Sequence, residues 1–116
     1  MRYAMLIYTS EAANATMSQE EQGAIMAAYG AFTNEITEKG INLGGEALQS
    51  TGTAKTVHLE NGQTVATDGP FAETKEQLGG FYLMECKDMD EAISYAAKIP
   101  AAQNGRVEVR PIMEFG

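Results

Sequence analysis

Two strand–helix–strand patterns, separated by a hairpin pattern, limit this chain to a small number of folds. Strands are predicted at residues 3–8, 41–48, 55–60, 63–68, 80–86 and 106–110, and helices at 18–39 and 88–99. Two β-α-β units around one antiparallel sheet form a ferredoxin-like arrangement, in which both helices cover the same face. We therefore predict an α+β fold of the type β-α-β-(β-hairpin)-β-α-β.

The first helix has the clearest pattern. Ser18 with Glu21 forms a capping box at its start, and Gly40 follows it as a C-terminal glycine. An apolar stripe at spacings of three and four is predicted to face the sheet, and consists of Ile25, Ala28, Tyr29, Phe32 and Ile36. Gly30 is expected to allow a close approach by the sheet.

Shorter sequence signals predict the turns, the loops and the second helix in the rest of the chain. Asn61-Gly62 predicts a tight hairpin, because both residues tolerate positive φ. Asp68-Gly69-Pro70-Phe71 interrupts the sheet, and residues 72–78 suit one helical turn, whereas residues 9–17 are predicted to be a loop. The second helix is expected to begin with an Asp88–Glu91 capping box and to end at Pro100, and its inner face is predicted to be Ile93, Ala96 and Ala97.

Length and charge limit the number of domains and the kinds of partner that this chain can have. A chain of 116 residues predicts a single domain, 1–116, with about 6,200 Å² of surface when folded. Its formal net charge of −8 gives it no electrostatic reason to approach nucleic acid or an anionic membrane. The lone Cys86 cannot form an internal disulfide, and the sequence has no signal-peptide or membrane-span pattern. We expect a soluble cytoplasmic protein.

The strands at 3–8 and 80–86 are apolar on both faces. With both helices on one side of the sheet, a monomer would leave the other apolar side in water. We therefore predict a homodimer in which two sheets close over each other and enclose a cleft.

The text DGPFAETKEQLGGF at residues 68–81, together with VEVRP at 107–111, resembles the DGPF branch of the YCII-related proteins. The resemblance continues through the MRYAMLIY start, MAAYGAFTNEI and GEALQS, and so covers nearly the whole chain. It implies a dimeric α+β barrel. It also suggests a regulatory association, because genes of this branch neighbour those of extracytoplasmic-function sigma factors.

Elsewhere in the wider family, an active site is proposed from a His on the first helix together with an Asp. This chain has no His on that helix, and Tyr29 is the polar aromatic residue available there. The resemblance therefore does not bring a His–Asp mechanism to this sequence.

Three residues are candidates for acid–base catalysis. Asp68 ends a strand and opens the Gly-Pro turn, where it can act as a base or can hydrogen-bond backbone amides of the turn. Glu46 follows Gly44-Gly45 on a strand expected to border the cleft, where burial would raise its pKa. Tyr29 can donate a hydrogen bond to a ligand, or it can be a core residue with a polar tip.

Further side chains are candidates for ligand binding. Tyr8 belongs to an apolar strand, His58 lies on the polar face of the hairpin, and Phe71 is an anchor for the core or the dimer contact. Lys75 and Arg110 can hold a carboxylate, although surface ion pairs are the commoner fate of such residues. We expect no metal and no cofactor, because His58 has no companion at ligand spacing and nucleotide-binding motifs are absent.

Two functions remain open at this stage, together with a third interpretation in which the DGPF segment only stabilises the barrel. The first is binding of a small organic ligand in the inter-sheet cleft of a homodimer, with acid–base chemistry as an extension. The alternative is a regulatory or accessory dimer that docks another protein without catalysis. The sequence does not decide whether the protein is an enzyme.

Overall fold

The computed structural model describes residues 1–115. In chain order its elements are β1 (Arg2–Thr9), α1 (Glu11–Asn14), α2 (Gln19–Glu38), β2 (Asn42–Ala47), a 3₁₀ turn (Thr51–Thr53), β3 (Lys55–Glu60), β4 (Gln63–Asp68), β5 (Gln77–Glu85), α3 (Met89–Ala96), α4 (Ala101–Asn104) and β6 (Arg106–Pro111). The α+β class is confirmed.

Four strands form one antiparallel sheet in the order β2-β5-β1-β6. The two β-α-β units interleave, because β5 of the second unit lies between β1 and β2 of the first. This order is the ferredoxin-like topology predicted from the sequence.

The core lies on one face of this sheet. Tyr3, Met5 and Ile7 alternate along β1 and are buried, and Met84 of β5 is opposite Tyr3 in the register. The helices add a second set of buried side chains, namely Phe32, Ile36, Ala92, Ala96, Ile99 and Ala101. The strands thus bury every second residue against a layer of helices, as half-buried strands do.

The predicted capping box at Ser18 is confirmed, whereas at Asp88 only the N-cap half of the predicted box is present. The Ser18 hydroxyl accepts a hydrogen bond from the Glu21 amide at 3.1 Å, and the Glu21 carboxylate accepts one from the Ser18 amide at 3.3 Å. At α3 the Asp88 carboxylate accepts a hydrogen bond from the Glu91 amide at 2.9 Å, but the Glu91 carboxylate accepts one from the Lys87 amide at 3.1 Å instead of from the Asp88 amide. These bonds satisfy amides that a helix start leaves without partners, and so fix where each helix begins.

The apolar stripe of α2 is buried over its C-terminal half alone. Phe32 and Ile36 are in the core, whereas Ile25 and Tyr29 are half-buried and Ala28 is exposed. The expectation for Gly30 was wrong, since a Cβ at this position would have nothing within 4 Å. The N-terminal half of α2 therefore stands away from the sheet, and a space opens between them.

The second helix uses a different face from the predicted one. Ala92 and Ala96 are buried, whereas Ile93 is 52% exposed and Ala97 is exposed. A second set of apolar residues also recurs at spacings of three and four, namely Met89, Ala92, Ala96 and Ile99. A helix this short can therefore bury either of two faces. The small alanines let α3 approach the sheet closely, which favours the phase that the structure adopts.

Three loop predictions also differ from the structure. Residues 9–17 contain the short helix α1, which Ser10 caps through a 3.1 Å bond from the Ala13 amide. Residues 72–78 form no helical turn, because the side chains of Thr74 and Gln77 bond nearby backbone carbonyls and β5 already begins at Gln77. Past Pro100 the chain continues into one more turn, α4.

The hairpin forms a sheet of its own, separate from the four-stranded sheet. Its turn has Asn61 at φ 51° and Gly62 at φ 77°, as the sequence predicted. At its base the Gly69 amide bonds the Ala54 carbonyl at 2.8 Å, and the Thr56 hydroxyl bonds the Gly69 carbonyl at 2.8 Å. Gly69 itself has φ 92°, which glycine adopts without strain.

The second face of the four-stranded sheet, here called the open face, is less well covered. Its apolar side chains alternate with the buried ones and are half-buried, namely Ala4, Leu6, Tyr8, Phe81 and Leu83. Charged residues surround them, namely Arg2, Glu46, Glu85, Arg106, Glu108 and Arg110.

The exposed surface area is also larger than expected for a folded monomer. The chain exposes 8076 Å², about 1,900 Å² more than a folded monomer of this mass normally shows. Its radius of gyration is 16.2 Å, whereas about 13 Å is usual for this length. The shape is flat, at 48 × 47 × 19 Å, so one chain presents two broad sides and only one is built around a core.

Candidate functional site

A cleft of about 1010 Å³ lies between the N-terminal half of α2 and the sheet. Its wall is mainly apolar and includes Ile7, Met17, Ile25, Tyr82 and Pro100. The cleft is on the helix-covered side of the sheet, whereas the sequence predicted one between two sheets. A largely apolar concavity with a few polar groups is the usual form of a small-molecule site.

Four hydroxyl groups line the cleft: that of Thr9 accepts a hydrogen bond from the Asn14 side chain, and the other three are those of Tyr29, Thr33 and Tyr82. Thr33 and Tyr82 share a hydrogen bond of 2.9 Å between their side-chain oxygens, and Tyr29 lies one helical turn before Thr33. Phe32 contacts the Tyr82 ring edge-to-face, with centroids 5.2 Å apart, which holds that ring in place. The group can donate hydrogen bonds to a ligand oxygen beside an apolar wall.

Burial raises the pKa of the Tyr29 phenol above its ordinary value. Proximity to Tyr82 acts in the same direction, and the Ala101 backbone amide acts against it. A phenol with a raised pKa keeps its proton at neutral pH, so Tyr29 can donate a hydrogen bond there but is a poor base.

Local sequence explains this arrangement. Gly80, Tyr82 and Met84 alternate along β5, which places Tyr82 on the helix side of the sheet. Gly45 is opposite Tyr82 on β2, and a Cβ there would collide with the Phe81 carbonyl and come within 3.3 Å of the Tyr82 ring. A glycine at position 45 therefore allows Tyr82 to sit close to the edge strand.

Glu46 reaches the rim of the cleft but points elsewhere. It is exposed, and its partner across the β2–β5 register is Phe81, whose side chain belongs to the open face. Since cross-strand partners share a face, the Glu46 carboxylate and the Tyr29 phenol lie on opposite sides of the sheet. One chain does not bring these two catalytic candidates together.

Tyr8 and Lys75 meet at a different place. They line a shallower depression of about 730 Å³ near Arg106 and Glu108 at one end of the open face. Arg110 also belongs to the open face, where its guanidinium is paired with Glu108. Hydrogen bonding to Glu108 raises the pKa of Arg110 further, so this cation is already engaged within the chain.

The remaining candidates lie on or beside the hairpin. Asp68 is paired with Lys55 across the strands, and its side chain is 87% exposed. His58 is on the polar face, as predicted, with its Nε2 atom 3.7 Å from Glu60. Phe71 is 91% exposed, so the prediction that it packs into the core of this chain was wrong. Its predicted role at a dimer contact stays a prediction.

Comparison with known proteins agrees with the fold. The family model of the YCII-related domain matches residues 1–116. The chain belongs to the YCII-related family. It is also 42% identical over 115 residues to an uncharacterised protein of Rhizobium meliloti (strain 1021), covering 97% of this chain and 92% of the relative.

In this YCII-related domain, sequence reasoning missed two residues of the cleft, Thr33 and Tyr82. The alternation of β5 was a signal for Tyr82, because it shares a face with the buried Met84. Thr33 follows the helical stripe by one residue, and no sequence pattern distinguishes it from a surface threonine.

The same domain offers no ready metal centre. Within residues 1–115, no three His, Cys, Asp or Glu side chains come together in a way that could hold an ion. Over the same residues, no helix combines the length and the apolar character that crossing a membrane demands.

Proposed function

We propose that this YCII-related domain binds a small, mostly apolar organic molecule in the cleft between α2 and the sheet. The observation that carries the proposal is the combination of an apolar cleft of about 1010 Å³ with the hydroxyls of Tyr29, Thr33 and Tyr82. The cleft can enclose a ring-sized ligand, since small-molecule sites span about 300–1,000 Å³.

The hydroxyls favour a ligand with one oxygen acceptor, such as a ketone, a phenol or an ester. A neutral ligand suits this domain better than an anion, because the chain carries a net charge of −8. Lys98 is at the rim, but it is engaged with Glu35 at 2.7 Å. Binding therefore depends on apolar contact and on hydrogen bonds from neutral groups.

Acid–base chemistry on the ligand is an extension of this proposal. Among the residues considered for it, Tyr29 has the most favourable position, as a hydrogen-bond donor to a ligand oxygen that gains charge. Asp68 lies outside the cleft of its own chain, as do Tyr8, His58, Phe71, Lys75 and Arg110, and Glu46 lies at the rim with its side chain on the other side of the sheet. We include none of them in the ligand site.

The proposal also includes a homodimer formed through the open face. An excess of about 1,900 Å² per chain is comparable to what stable dimers bury, because obligate interfaces bury about 2,000–5,000 Å² in total. Membership of the DGPF branch, suggested by residues 68–81, belongs to the proposal as well.

A neutral aromatic ketone tests the ligand site. We expect 4-hydroxyacetophenone to shift the amide NMR signals of α2 and β5 residues that line the cleft, and to do so saturably. Tyr29→Phe and Tyr82→Phe each remove one hydroxyl and should weaken binding about three- to tenfold. The matched control is Tyr95→Phe, which removes a hydroxyl from a half-buried tyrosine on α3 outside the cleft.

Shifts that do not saturate, or that fall outside the cleft, would contradict the proposal. Equal affinity of the wild type and both cleft variants would contradict the role of the hydroxyls. A thermal unfolding scan of each variant separates lost binding from lost folding.

A second candidate function is favoured by the exposed aromatic side chains. Phe71 is 91% and Phe115 is 88% exposed, which is unusual for large apolar residues and suits a protein-docking role. In that case the domain is a regulatory or accessory dimer, with a sigma-factor pathway as one setting. A pull-down that recovers nothing except the protein itself under several growth conditions would count against it.

A further inference from the structure

The hairpin of β3 and β4 is an unsupported arm. Each strand has six residues, so the arm extends about 20 Å from its base. It forms a sheet of its own, and the bonds among Ala54, Thr56 and Gly69 close the base of the hairpin by joining its two ends to each other. A two-stranded hairpin is marginally stable in water without packing, so this arm needs a surface to lie on.

The two faces of the arm differ. One face has the cross-strand pairs Val57 with Ala66 and Leu59 with Thr64, whereas the other face carries His58 and Thr67 and a single half-buried apolar residue, Val65. Val57 is 60% exposed and Leu59 is 70% exposed. An apolar face on an arm, left in water by its own chain, is the kind of surface that another molecule covers.

The charge distribution favours a second copy of this chain as that molecule. The open face and the arm together carry four basic and five acidic side chains, whereas the rest of the chain carries four basic and eleven acidic ones. Two chains of net charge −8 repel each other least where they meet through surfaces that are almost neutral.

The charges on the apolar face of the arm are matched locally. Lys55 and Asp68, which share that face with Val57, are paired with each other, whereas Glu60 lies on the opposite face. The arm therefore brings little uncompensated charge to a contact, and its apolar face can be covered without burying a lone ion.

We propose that each hairpin arm packs its Val57–Leu59–Ala66 face against the second chain of the homodimer. This inference rests on the homodimer included in the proposed function. A two-fold axis would make the contact reciprocal, because each chain then gives an arm and receives one. The arm thus acts as a clamp in addition to the sheet-to-sheet contact of the open faces.

A pair of lysine substitutions on each face of the arm tests the clamp. Val57→Lys with Leu59→Lys places two charges on the apolar face, and His58→Lys with Thr67→Lys places two on the polar face as the matched control. In sedimentation velocity, we expect the first pair to raise the dimer dissociation constant at least about tenfold and the control to leave it within about twofold.

The alternatives are distinguishable. If both pairs dimerise like the wild type, or if both weaken the dimer equally, the arm is not a clamp and the homodimer itself still stands. If the wild type is monomeric at about 100 µM, the homodimer and the clamp both fail. Far-UV circular dichroism checks that each variant folds, and Val57→Ser with Leu59→Ser replaces the lysine pair if that pair does not.

Discussion

The two faces of the four-stranded sheet are built from the same strands but differ in completeness. On one face, Tyr3, Met5 and Met84 are buried under helices that the same chain provides. On the open face, the alternate residues Leu6, Phe81 and Leu83 are only half-buried. The apolar alternation of a strand therefore shows which side chains need cover, but not whether that cover comes from the same chain.

The helix-covered face is itself uneven. The C-terminal half of α2 closes tightly over Phe32 and Ile36, and the N-terminal half leaves the cleft at Tyr29. A bond of 2.7 Å from Lys98 to Glu35 ties the closed half to the end of α3, whereas no comparable ion pair appears near residues 19–31 in the described chain. The helix is thus fixed at one end and stands away from the sheet at the other.

The largest expected effect contrasts the two halves of α2. Ile36→Ala should lower the free energy of unfolding by about 2–5 kcal/mol, because Ile36 is fully buried and its removal leaves a cavity. Ile25→Ala makes the same change at a half-buried site and should cost less than about 1.5 kcal/mol. Urea unfolding at one protein concentration measures both, and equal losses would mean that the two halves pack alike.

A second prediction contrasts the two faces. Leu6→Lys puts an ammonium group in the middle of the open face, opposite Glu108 in the register, and should weaken the proposed dimer at least about tenfold, because a buried ion pair is often about 1–4 kcal/mol less favourable than well-packed apolar residues. Met26→Lys adds the same charge on an exposed part of α2 and should leave the dimer intact. Sedimentation velocity measures both, and an unchanged Leu6→Lys dimer would exclude the open face as the interface.

Two glycines with different surroundings provide a smaller test of how closely the elements pack. Gly45→Ala should destabilise the fold by about 1–3 kcal/mol, because its Cβ collides with the β5 backbone beside Tyr82. Gly30→Ala has open space and a helical backbone, so it should stabilise by up to about 1 kcal/mol. Opposite signs in thermal unfolding are expected, and a stabilising Gly45→Ala would mean that β2 sits farther from β5.

The smallest effect concerns the tie at the closed end of α2. Hydrogen bonds from Lys98 and Lys39 hold the pKa of the Glu35 carboxyl below its usual value. Because the folded pKa is lower than the unfolded one, the pair adds stability above the unfolded pKa and loses it as the pH falls through the folded pKa. Glu35→Gln should therefore be less stable than the wild type at neutral pH, and the difference should disappear in acid.

Urea midpoints at neutral and acidic pH measure this difference. Glu38→Gln is the control, since it removes an exposed carboxylate from the last turn of the same helix. A stability difference for Glu35→Gln that stays constant with pH would exclude the ionised pair as its cause.

Local signals predicted the fold well. The capping box at Ser18, the N-cap at Asp88 and the Asn61-Gly62 turn depend on neighbours within a few residues, so the sequence alone contains them. The face of α3 was predicted wrongly, because a short helix with apolar residues at Ala92, Ile93 and Ala96 fits two phases and only the packing against β6 selects one.

The site was predicted less well, for a physical reason. Whether Tyr29 meets another hydroxyl depends on how far α2 stands from the sheet, and no local pattern encodes that distance. Sequence patterns therefore indicate Tyr29 but not Tyr82, its neighbour in the cleft. Asp68 and Glu46 are sequence candidates because they lie beside glycines, and in the structure these glycines shape turns and close strand contacts.

The central claim is that one chain covers one face of its sheet and a second copy covers the other. A native mass spectrum of the purified protein over a range of concentrations tests it most directly. We predict a species of twice the 12.5 kDa chain mass that persists on dilution. A spectrum with only the single-chain mass at every concentration would contradict the claim.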